Sequence, residues 1–150
     1  MGDRWAWVIR YAVVIVLALI LAWALGEMSL FKGTRIGKSG LNAARVVQFF
    51  GYGGALFVFW LLARRTAVTL PRGDTRLDVV RSILLPLATL IVVAAAQAIL
   101  LLVLGPLMSK SWLQAYNWIF ITGIVLSAAW LLAALFTGSS SLAPLFGRSR

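Results

Sequence analysis

Apolar residues in this chain are gathered into four long runs, and the polar and charged residues are confined to the breaks between them. The first run, Trp5 to Leu25, carries one charge, Arg10, close enough to its start for the side chain to snorkel outward. The second, roughly Val46 to Ala63, lies within Ala43 to Arg65, which has a glycine patch near its start and two adjacent arginines at its end. The third has no charge from Ser82 to Ser109 and is closed by Gly105 and Pro106, and the fourth goes from Ser111 to about Phe136. At 1.5 Å per residue the first two make about 31 Å and about 27 Å of helix, which matches a hydrocarbon core of roughly 30 Å. The pattern predicts an all-α integral membrane protein: four transmembrane helices in an up-down bundle, with no substantial soluble domain. Residues 1–137 form the transmembrane domain, with spans of about 5–25, 46–63, 82–107 and 111–136, and 138–150 form a short basic tail containing Arg148 and Arg150.

The breaks read as connections. Gly26 to Leu41 is basic and glycine-rich, and Met28, Leu30, Phe31 and Ile36 would let it lie on the membrane surface. In Thr66 to Arg81, Pro71 and Gly73 interrupt the chain, Asp74 or Thr75 offers an N-cap, and Asp78 falls in the first turn of the next helix. Pro86 bends the third helix or marks its first turn, and Gly138 to Ser141 ends the fourth. Ala22, Trp23 and Ala24 have the small-x-small form of a leader cleavage site, but the first run is expected to be retained as a span.

A hydrophobic content of 62%, a mean hydropathy of +0.97 and 12% charged residues place the chain outside soluble domains. With no Cys and no His, disulfides, thiolate and imidazole catalysis and the usual zinc sites are excluded. Its four carboxylates, Asp3, Glu27, Asp74 and Asp78, all lie outside the depths of the runs. No catalytic residue, metal or cofactor is therefore expected, and the chain is not expected to be an enzyme. The net charge of +10 resides in the connections and ends, which points to anionic lipid headgroups rather than nucleic acid. Lys32, Arg35, Lys38, Arg64, Arg65, Arg72, Arg76 and Arg81 are the headgroup candidates. With four spans, nine bases fall on the side of the termini and five on the other, which favours both termini in the cytoplasm of a bacterial inner membrane.

Two motif fragments fail on spacing. In GTRIGKS, three residues rather than four separate Gly33 from Gly37, so a phosphate-binding loop is not formed. FGYGG contains the Gly-Tyr-Gly of potassium filters without the flanking helices such a filter needs, so its glycines are read as allowing close helix approach. Small residues four apart occur in every run: Ala18 with Ala22, Gly51 with Ala55 beside Gly54, Ala94 with Ala98, and Gly123 with Ser127. Gln48, about 3 Å in from one end of the second helix, and Gln97, roughly 8 Å from the same side, are nearly level. This predicts that the Gln48–Gly51–Ala55 stripe faces Ala94, Gln97 and Ala98, with a Gln48–Gln97 hydrogen bond of about 0.5–2 kcal/mol. Trp5, Trp7, Trp23, Trp60 and Trp112 read as interfacial anchors, and Trp118 and Trp130 as deeper packing groups.

The expected function is that of a structural or accessory subunit, packed by its small-residue faces in a larger membrane complex and in contact with membrane lipids. The alternative is a homo-oligomeric channel or transporter for a neutral or lipidic substrate, with a pathway made between copies around Gln48, Gly51, Gln97 and Ser127.

Overall fold

The structure is a computed structural model that describes residues 6–37, 40–70 and 75–140, with the backbone alone at 75–76 and 138–140. Asp3, Arg4, Trp5, Lys38, Pro71, Arg72, Gly73, Asp74, Arg148, Arg150 and the side chain of Arg76 lie outside the described residues.

Four helices are long and apolar enough to cross a membrane. They are α1 (Ala6–Glu27), α3 (Ala43–Thr69), α4 (Thr75–Leu104) and α5 (Lys110–Ser140). Between α1 and α3 the chain makes a short helix, α2 (Ser29–Gly33), and a two-residue antiparallel pair, β1 (Arg35–Ile36) with β2 (Leu41–Asn42). Gly37 and Gly40 turn this hairpin at φ of 66° and 72°, a region that favours glycine. Asn42 then caps α3, its side-chain oxygen accepting from the Arg45 N–H at 3.1 Å. The first connection thus contains a short helix and a paired turn, on which Met28, Leu30 and Ile36 are exposed and Phe31 is half-buried.

Three helices are longer than their apolar runs. α3 continues through Arg64 and Arg65 to Thr69, because loss of hydropathy does not end a helix whose backbone bonds can still form. The Thr66 and Thr69 hydroxyls donate to the Leu62 and Arg65 carbonyls over its last turns. α4 begins at Thr75, before the apolar stretch, with Asp78 in its first turn and Pro86 inside. α5 continues through Gly138 to Ser140, since one helical glycine costs only about 1 kcal/mol relative to alanine. Between α4 and α5, Gly105–Leu107 form a single 3₁₀ turn.

Packing follows chain order: α1 on α3, α3 on α4, and α4 on α5. Every other pair of long helices shares marginal contact at most, so the up-and-down order produces an open row rather than a bundle closed by α5 meeting α1. Each seam is antiparallel. Gly26 meets Gln48 and Gly51 meets Ala22 in the first, Gly53 meets Ile99 in the second, and Gly123 meets Val93 in the third. The buried residues are mainly alanines, Ala22, Ala44, Ala55, Ala63, Ala67 and Ala88, and no large side chain among the described residues is fully buried. Helices in lipid associate by close approach of small residues, and this core has that composition.

Candidate functional site

The tightest contact is the α1–α3 seam. A Cβ placed on Gly51 would overlap the Ala22 side chain, and would lie 3.2 Å from the Ala22 Cα and 3.4 Å from the Ala18 carbonyl oxygen. Ala18 and Ala22 of the first run thus face Gly51 of the second, and Ala55, one turn beyond Gly51 on the same face of α3, is 3% exposed. One turn away, the Gln48 side chain covers Gly26 so closely that a Cβ there would overlap its amide.

This arrangement overturns the expected pairing of the second and third spans through their small residues. The Gln48–Gly51–Ala55 stripe is turned to α1, and no Gln48–Gln97 hydrogen bond occurs among the described residues. α3 is wedged between two neighbours, and its glycine face takes the nearer one. Its contact with α4 uses Gly53, where an added Cβ would meet Ile99 at an ordinary 3.8 Å, and bulkier residues such as Leu56 and Trp60. Gly54 faces open space, and Ala94 and Ala98 are exposed.

Gln97 acts through its backbone. The buried Tyr116 hydroxyl donates to the Gln97 carbonyl at 2.6 Å, joining α5 to α4, and Tyr116 stacks on Phe120 at 4.7 Å. In the same seam a Cβ placed on Gly123 would lie 3.4 Å from the Val93 side chain, and the buried Ser127 donates to its own helix at the Gly123 carbonyl. Gln48 and Gly51 therefore line one seam and the Gln97 carbonyl and Gly123 another, so these polar positions do not converge on one path within a chain.

The charged groups separate by end. At the hairpin end Lys32 is paired with Glu27 at 2.6 Å, so this headgroup candidate already has a carboxylate, while Arg35 is exposed. At the other end the Arg65 guanidinium lies 4.9 Å from the Trp7 ring centre and 5.9 Å from that of Tyr11, and Arg64 lies 5.7 Å from Trp60. Trp7 and Tyr11 themselves meet edge to face at 6.1 Å. The sequence signal for this cluster was present, two aromatics four apart at the start of the first run, but not the identity of their partner. Arg81 is half-buried, and Arg64, Arg65 and Arg81 make no ion pair among the described residues.

Two apolar grooves flank the α3–α4 seam. One, of ≈ 190 Å³, lies toward the arginine end between Phe59, Leu62 and Thr66 and Leu84, Leu87 and Ile91. The other, of ≈ 320 Å³, extends toward the hairpin end between Phe49, Gly53 and Trp60 and Val92, Ala96 and Leu100. Neither is lined by an acid, and no group of three or more metal-ligating side chains occurs among the described residues. The site that the fold builds is a set of packing and hydrocarbon-facing surfaces with cations at their edge. No family model, no curated protein and no solved structure matches the chain.

Proposed function

We propose that the protein is an integral membrane protein without catalytic chemistry, an accessory subunit that packs in a larger assembly of a bacterial inner membrane with both termini in the cytoplasm. The observation that carries this reading is the position of Ala94 and Ala98. Small residues on membrane helices serve close helix approach, and these two are exposed on α4, away from the seams that hold the row together. A partner helix is the neighbour such a stripe fits.

Native mass measurement after purification in mild detergent tests it. The expected result is a particle containing foreign subunits, from which an Ala94→Leu, Ala98→Leu double variant is released as a single chain. A ring of identical chains supports the channel or transporter reading instead, and a lone wild-type chain would sink both.

Orientation has its own test, helped by the absence of cysteine from the sequence. A Gly33→Cys thiol, in open space at the hairpin end, is expected to react with an impermeant maleimide in intact cells. A Val68→Cys thiol near the opposite end is expected to react only after lysis. The reverse labelling pattern refutes the orientation drawn from the excess of basic residues beside the termini.

A further inference from the structure

The larger α3–α4 groove follows about 16 Å of helix from Phe49 to Trp60 and has a volume of ≈ 320 Å³. A slender apolar slot of this length matches a single extended hydrocarbon chain better than a helix 10–12 Å across. The lining has no charged or hydroxyl-bearing side chain, and its one side-chain donor is the Trp60 indole N–H at the arginine end, so most of its length offers a polar ligand no partner. At its arginine end the chemistry changes. Trp60 closes the apolar lining, and Arg64, one turn further along α3, rests its guanidinium 5.7 Å from the Trp60 ring without a carboxylate partner among the described residues. Tryptophan belongs at the membrane interface, and an unneutralised arginine just beyond it meets the depth at which phosphates lie.

We propose that this groove holds one acyl chain of an anionic phospholipid, with its phosphate on Arg64. The inference rests on membrane placement and not on the assembly, so a lone chain in the mass measurement would sink the subunit reading and leave the lipid site standing.

The test is retention of phosphatidylglycerol against phosphatidylcholine by the purified full chain, read as lipid adducts in native mass spectra. Arg64→Gln is expected to lower the phosphatidylglycerol-to-phosphatidylcholine ratio about fivefold, and Arg45→Gln, an exposed arginine at the hairpin end, to leave it unchanged. Gly53→Leu, which fills the groove, is expected to lower retention of both lipids. Equal losses from Arg64→Gln and Arg45→Gln would show diffuse attraction and overturn the site. So would unchanged retention in Gly53→Leu, or a change in that variant from lipid adducts to chain dimers. If Gly53→Leu fails to fold by circular dichroism, Ala96→Val fills the same groove more gently and decides the matter.

Discussion

Substituting Gly51 by leucine is expected to separate α1 from α3 and to destabilise the protein by about 2–3 kcal/mol, while the same change at Gly54 costs nothing and gains up to about 1 kcal/mol of helix propensity. The two glycines are three residues apart in one patch and differ in what a side chain would meet. At Gly51 the first carbon added would overlap Ala22, with the α1 backbone directly behind it, so relief requires a shift of the whole helix. At Gly54 there is nothing within 4 Å. Even Gly51→Ala is expected to lose stability, because its Cβ alone overlaps Ala22, whereas Gly54→Ala should show most of the roughly 1 kcal/mol that alanine ordinarily gains over glycine in a helix. Reversible unfolding by increasing dodecyl sulfate in mixed micelles measures all four. Equal losses at the two sites would mean that the α1–α3 seam has been assigned to the wrong face.

The second large effect belongs to the α4–α5 seam. Tyr116→Ala removes a buried ring, its stack on Phe120 and the interhelical bond to the Gln97 carbonyl, for an expected loss of roughly 2–3 kcal/mol. Tyr116→Phe keeps the ring and loses the bond alone, for about 1 kcal/mol. The same unfolding measurement separates them. If the phenylalanine variant loses as much as the alanine variant, the hydroxyl rather than the ring holds α5 in place.

Long uncharged runs fix the existence of the spans, since few structures satisfy every backbone group in hydrocarbon. They do not fix the ends, because a helix entering the headgroup region keeps its hydrogen bonds, as α3 does across Arg64 and Arg65. Nor do they fix which way a side chain points. In a water-soluble helix the apolar stripe marks the inward face, whereas here every face is apolar and that guide is lost. Of the glycines of the second run, Gly51 makes a close approach, to the first helix instead of the expected third, while Gly54 faces open space. Gln48 and Gln97 are level in depth, and depth says nothing about azimuth. The Arg65–Trp7–Tyr11 cluster required knowing that the end of α3 returns to the start of α1, which follows only from the antiparallel seam.

Packing in chain order bears on how the molecule is made. Each long helix after the first rests on the one synthesised just before it, so no helix must wait for a later one to supply its principal neighbour. Assembly can therefore keep pace with insertion from the ribosome, one hairpin at a time, with only short loops to close and no rearrangement at the end.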